Sequence, residues 1–266
     1  VRKLFLFILG LGLSFVLASC REPLTYDEVY NLYVNHIELN ESDYQFSIDY
    51  FNAISTETVK SVVLITKSTT IGLIGSTTGS GVIIKEDLLN YYVLTNHHVA
   101  YSSNPRNTVI NIEDYSGKTY RAELLFSDSQ YDLAVLRIKK NTSQLSVISV
   151  ASENARQKEK MSIIGHPNNQ VNAITLGTLL NYSKVNLSST DTTAGVTFEV
   201  IITDAPVMSG SSGSVVLNSS RNLVGIVFAG NFYDDSTVSH ATFAIPVEKI
   251  HEFLEKNNFI LGGIIS

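Results

Sequence analysis

The chain has 266 residues, 44% of them hydrophobic and 17% charged, which supports a large core in one domain or two moderate ones and excludes a disordered bulk. Its 25 acidic residues outnumber 19 basic ones, for a net charge of −6, and no lysine or arginine cluster breaks that balance; nucleic acid is therefore not an expected partner. A single cysteine excludes an intramolecular disulfide.

At the start, Arg2 and Lys3 precede the apolar run LFLFILGLGLSFVLA, the layout of a secretory signal. The run is about 15 residues long, short for a membrane span. L-A-S-C at 17–20 resembles a bacterial lipobox, which implies cleavage before Cys20, lipidation of that cysteine and an extracytoplasmic protein anchored to the bacterial cell membrane. Loss of Arg2 and Lys3 would leave 17 basic against 25 acidic residues, a balance of −8. A polar tether follows, then T-Y-D-E at 25–28, a capping-box pattern, with Tyr26, Val29, Tyr33 and Ile37 at helical spacing; this predicts a helix over about 26–37.

From Ser61 the pattern changes to short runs rich in Val, Ile and Thr, broken by Gly, Ser and Asn. They are SVVLITK, GVIIK, YYVLT, NTVINI, YRAELLF, LAVLRI, LSVISV, MSIIG, AITLGTLL, VTFEVII, SVVL, LVGIVFA and TFAIP. Runs of this length and spacing predict an all-β sandwich or barrels. Pro246 then opens PVEKIHEFLEKNN, with Val247, Ile250, Phe253 and Leu254 along one face, which predicts a terminal helix. The expected division is 1–19 signal, 20–54 tether and helical extension, 55–150 first barrel, 151–246 second barrel, and 247–266 helix and tail.

Two adjacent histidines, His97 and His98, end the run YYVLTNHHVA. Neighbours on an extended strand point to opposite faces, and neither an H-E-x-x-H motif nor a cysteine ligand set is present, so the pattern argues against a metal. Ordinary strand-end histidines remain the alternative unless partners occur elsewhere, and two candidates do. MSGSSGSVVL at 208–217 sets small residues between apolar ones, and Gly210 and Gly213 allow backbone N–H groups to converge as an oxyanion hole requires. YDLAVLRI at 131–138 puts Asp132 at the mouth of an apolar strand, where a carboxylate is costly to bury without a donor.

In chain order these are T-N-H-H-V, D-L-A-V-L and G-S-S-G-S. With GSGVII at 79–84, IIGHP at 163–167 and HATFAIP at 240–246, they resemble the trypsin-like serine peptidases over about residues 55–250. The resemblance extends to the disulfide-free bacterial HtrA/Deg proteases and, in some features, to the glutamyl endopeptidases. It implies two six-stranded antiparallel β-barrels and a triad of His98, Asp132 and Ser212, with His97 a bystander at a variable position. It further implies an oxyanion hole of the Gly210 and Ser212 N–H groups, and a protein or peptide substrate added as a strand along Phe228, Ala229 and Gly230, with Val227 and Phe228 lining the specificity pocket. No cofactor and no metal are implied.

Ser211 stands where many of these relatives carry Asn or Asp, which implies a looser oxyanion loop. Val227 stands where glutamyl endopeptidases place a histidine in a G-I-H pattern, which implies an apolar specificity pocket, with His240 as the nearby alternative. A PDZ module is not expected to accompany the barrels. The competing reading is a catalytically silent, protease-fold binding protein at the cell surface.

Overall fold

A computed structural model describes residues 48–69, 75–141, 144–167, 172–186, 195–233 and 236–261. The signal-like run, Cys20, the helix expected over 26–37 and the last five residues lie outside them. Residues 48–56 form a helix, α1, at the junction of the expected tether and helical extension (20–54) with the first barrel. Its anchors are one turn apart: Ile54 is fully buried, and the Tyr50 hydroxyl bonds Ser162 Oγ at 2.8 Å and the Asn218 carbonyl at 2.9 Å.

Among the described residues twelve strands follow. The first six are β1 (Val62–Thr69), β2 (Ser76–Glu86), β3 (Asn90–Thr95), β4 (Thr108–Glu113), β5 (Thr119–Asp128) and β6 (Leu133–Lys139). They close as an antiparallel barrel in the order β1-β2-β3-β6-β5-β4. The second six are β7 (Lys160–Gly165), β8 (Ala173–Ser183), β9 (Val200–Thr203), β10 (Val215–Leu217), β11 (Leu223–Asn231) and β12 (Ala241–Pro246). They close in the corresponding order, β7-β8-β9-β12-β11-β10. The fold is thus the pair of six-stranded barrels that the resemblance implied.

Strand alternation explains how the barrels meet. On β1 and β6, Val63, Ile65, Ala134, Leu136 and Ile138 fill the interior of the first barrel. The intervening Val62, Leu133 and Val135 join instead the cluster that holds the core of the second barrel. Both faces of these strands are therefore apolar, so they read as continuous runs. Each buried aliphatic side chain contributes about 1.5–3 kcal/mol relative to exposure, which makes this shared seam a principal source of cohesion between the barrels.

Two expectations differ from the outcome. LSVISV is not a strand; apart from one bridge between Val150 and Leu223 it is irregular. Its backbone bonds are divided, Ile148 N–H donating to Ile83 of the first barrel while Ser149 and Ala151 pair with Leu223 of the second. A segment serving two barrels cannot continue a ladder with either. The run VTFEVII also pairs only from Val200.

A one-turn helix, α2, lies at His97–Ala100, and the terminal helix is α3. Helix α3 covers Val247–Lys256 and buries Val247, Ile250, Phe253 and Leu254, the face read from the sequence. It leaves the second barrel and packs on the β5–β6 turn of the first. Phe253 lies against Phe126 and Tyr131, with ring centroids 5.4 and 6.1 Å apart, and Lys256 pairs with Asp128 at 2.7 Å.

Candidate active site

Strand β3 ends in buried Thr95 and Asn96, after which the chain turns into α2, carrying His97 and His98. This turn is bonded to Asp132 from three directions. Asn96 Nδ2 donates to the Asp132 carbonyl at 3.1 Å. The His98 backbone N–H donates to Asp132 Oδ1 at 3.1 Å. His98 Nδ1 lies 3.0 Å from Oδ1 and 2.9 Å from Oδ2. Asp132 is 2% exposed and has φ +50°, a left-handed conformation that Asp tolerates better than most residues. That twist lets the residue at the mouth of β6 turn its carboxylate onto the histidine.

The two histidines separate cleanly. His97 stacks on Tyr101 with ring centroids 4.5 Å apart, and its Nδ1 is buried without a partner among the described residues. Burial lowers its pKa. His98 alone is bonded to the carboxylate.

The serine loop is held by two successive turns. Ser211 N–H donates to the Met208 carbonyl at 3.1 Å, and Ser214 N–H to the Ser211 carbonyl at 2.9 Å. Gly210 and Gly213 occupy the third position of each, both with φ +85°, as a type II turn demands. Ser211 Oγ accepts the Met208 N–H at 3.3 Å. At the position where an Asn or Asp was expected to pin the loop, the serine hydroxyl thus closes the turn. The N–H groups of Gly210 and Ser212 have no acceptor among the described residues, whereas that of Gly213 donates to the Val227 carbonyl.

What brings this loop to the first barrel is a buried polar seam that the sequence reading missed. Ser80 N–H donates to the Ser212 carbonyl at 2.7 Å. The Ser80 carbonyl accepts Thr95 Oγ1–H at 2.6 Å, and Ser80 Oγ accepts the His166 N–H at 2.9 Å and the Ser214 hydroxyl at 3.3 Å. A Cβ on Gly213 would stand 1.9 Å from the Ser80 carbonyl oxygen, so only glycine fits there. Likewise a Cβ on Gly79 would meet Val99 at 2.8 Å and the Ser212 carbonyl at 3.0 Å. The residue after His98 and the backbone of Ser212 therefore flank one glycine.

His166 in this seam is 1% exposed, and burial pushes its pKa down to about 4. The unfolded chain takes up the proton near 6.5, so between that pH and about 4 the unfolded state binds more protons and stability falls as pH falls. The expected loss across this window is about 2–3 kcal/mol. Urea unfolding at pH 7 and pH 4.5 checks it: wild type loses more stability than His166→Asn, and equal losses would refute the assignment.

Strand β10 pairs with β11 as far as Ile226, and Ser214 and Gly213 then take both backbone groups of Val227. Beyond it, Ala229 and Gly230 pair with β12 on one side and leave the other edge open among the described residues. Val227, expected to line the specificity pocket, thus has both backbone groups engaged, and its side chain is 1% exposed. Gly230 is closely packed: a Cβ there would stand within 3.1 Å of Phe232, Ser239 and Val207. His240 stacks on Tyr233, with ring centroids 4.1 Å apart. No group of three or more His, Cys, Asp or Glu residues suited to a metal ion occurs among the described residues.

Two closed barrels with a histidine–aspartate pair on one and a glycine-braced serine loop on the other define the trypsin-like class. A family model described as "Trypsin-like peptidase domain" matches residues 79–226, and the chain belongs to that family. It is 34% identical over 181 residues to the serine protease Do-like HtrB of Bacillus subtilis (strain 168), covering 66% of this chain and 38% of the relative. It is also 34% identical over 188 residues to the serine protease Do-like HtrA of the same organism, covering 68% and 39%. Among solved structures, the HtrA-type protease AlgW with a tripeptide aligns with a TM-score of 0.60 at 26% identity, over 81% of this chain and 65% of that one. The chain thus spans about two fifths of the length of these curated relatives.

Proposed function

We propose that this chain is a secreted, lipid-anchored serine endopeptidase that cleaves proteins or peptides through an acyl-enzyme. The observation that carries the reading is His98 Nδ1 against both oxygens of buried Asp132, at 2.9 and 3.0 Å. Asp132 accepts the Nδ1–H, which leaves Nε2 free to take a proton from the Ser212 hydroxyl as its oxygen attacks the scissile carbonyl. The Gly210 and Ser212 N–H groups receive the oxyanion. The tetrahedral intermediate collapses as His98 returns the proton to the leaving amine, and water then hydrolyses the ester by the same route. Substrate adds as a strand along Phe228, Ala229 and Gly230. The HtrA-type neighbour solved with a tripeptide supports peptide as the substrate class.

A fluorophosphonate probe with a peptide library tests this. Labelling at Ser212, with cleavage after small or medium apolar residues, is the expected result. Val227 in place of a pocket histidine supports that preference, because a carboxylate entering a pocket without a donor would lose hydration without compensation. Neither labelling nor cleavage would favour the silent binding protein. Dominant cleavage after Glu or Asp, abolished by His240→Ala, would overturn the apolar pocket.

Attachment is expected to depend on Cys20, since a multiply acylated cysteine anchors stably where one chain holds only marginally. Cell fractionation of Cys20→Ser should find the protein released or unprocessed. A correctly cleaved variant still on the membrane would refute the lipobox.

A further inference from the structure

Lysine 67 occupies a position where an apolar residue would continue the barrel core. Alternation on β1 puts Val63, Ile65 and Lys67 on one face, and the first two are fully buried in the first-barrel core. The Lys67 side chain is half-buried, makes no ion pair among the described residues, and its burial lowers its pKa. An ammonium withdrawn from water without a carboxylate needs other acceptors. It has two: Nζ donates to the His98 carbonyl at 2.9 Å and to the Tyr101 carbonyl at 2.8 Å.

Those acceptors are informative. Helix α2 is a single turn, closed by Ala100 N–H to the Asn96 carbonyl and Tyr101 N–H to the His97 carbonyl. The carbonyls that follow have no partner within the helix. A one-turn helix is also too short to be stable on its own. Asp132 and Asn96 hold this turn from its N-terminal side, through the His98 N–H and imidazole and the Asn96 side chain. Val99 and Ala100 seat the turn on the first-barrel core, and Lys67 supplies the polar contacts to its His98 and Tyr101 carbonyls.

We infer that Lys67 is a positioning residue for His98: its ammonium clamps the His98 and Tyr101 carbonyls and fixes the backbone from which the imidazole reaches Ser212. The role rests on the protease reading above. The clamp spans two strands of the barrel and the catalytic turn, because Lys67 is itself paired with Thr77 on β2 and Ile110 on β4. The charged groups near the pair of histidines are Asp132 and Asp128, at the two ends of the β5–β6 turn, and Lys67 from β1. Lys67 is the only cation among them.

The test compares Lys67→Met, which keeps length and apolar stem, with Lys67→Arg, which keeps charge and two-acceptor reach. Lys67→Met should lower kcat about tenfold to a hundredfold with KM within about twofold, the effect of a slight displacement of a catalytic group. Lys67→Arg should recover most of that loss. The low-field Nδ1–H proton resonance of His98, identified by its absence in His98→Ala, should broaden in Lys67→Met and sharpen again in Lys67→Arg. A Lys67→Met enzyme with wild-type kcat, or one that loses thermal stability with the resonance and kcat unchanged, would overturn the proposal. So would equal loss in both variants. Wild-type protein that fails to react with a fluorophosphonate would refute the protease reading, while the resonance still reports on the clamp.

Discussion

Ser212→Ala is expected to lower kcat by about a millionfold and to abolish fluorophosphonate labelling, with the folded structure retained. The substitution removes one hydroxyl, whereas the contacts that brace this position belong to its backbone. The Ser212 carbonyl accepts from Ser80, and the flanking turns close through Ser211 and Ser214. His98→Ala should be equally damaging, because serine and base act as one unit and their losses do not add. His97→Ala should retain most activity, since that ring stacks on Tyr101 and has no bond to Asp132. Ser211→Ala provides the internal contrast. It removes the acceptor of the Met208 N–H, so activity should fall only through loosening of the loop. Steady-state kinetics on these four variants distinguish the assignments, and an active Ser212→Ala beside an inactive Ser211→Ala would reverse the identity of the nucleophile.

The strands were legible because β-branched residues recur in short runs, and the terminal helix because Val247, Ile250, Phe253 and Leu254 repeat at helical spacing. LSVISV has the same composition as a true strand; only its partners, one on each barrel, make it a connector. The histidine, aspartate and serine could be proposed from their order, but the seam that holds the serine loop against the first barrel could not. Ser80 bonds His166 and Ser214 across 86 and 134 residues, and in the sequence it is one serine among many. The left-handed twist of Asp132 is likewise invisible, since no local motif demands it. Lys67 did leave a signal: a lysine two residues after Ile65 breaks an apolar alternation, and such a break asks for a partner.

Asp132→Asn is expected to lower kcat by about ten-thousandfold while leaving the fold intact. The reason lies in the two oxygens. Oδ1 accepts the His98 backbone N–H at 3.1 Å, a group that can only donate. In the variant the amide oxygen must keep that place, because an NH2 there would face another donor. The NH2 group then falls at the Oδ2 position, 2.9 Å from His98 Nδ1 in the native site. A donor at that point forces Nδ1 to accept, so the ring proton resides on Nε2. An Nε2–H cannot take the Ser212 proton, and the nucleophile loses its base. The backbone should tolerate the change, since asparagine adopts φ near +50° as readily as aspartate. Loss of a charged acceptor should cost about 1–3 kcal/mol of stability, far too little to unfold a stable two-barrel protein. Asp132→Ala, by contrast, should be less stable than the asparagine variant, because it leaves the His98 N–H unpaired and strains a left-handed position. Thermal melts with kcat measurements on the two variants check the argument: an asparagine variant that melts near wild type and turns over at a wild-type rate would show that Asp132 does not set the histidine tautomer.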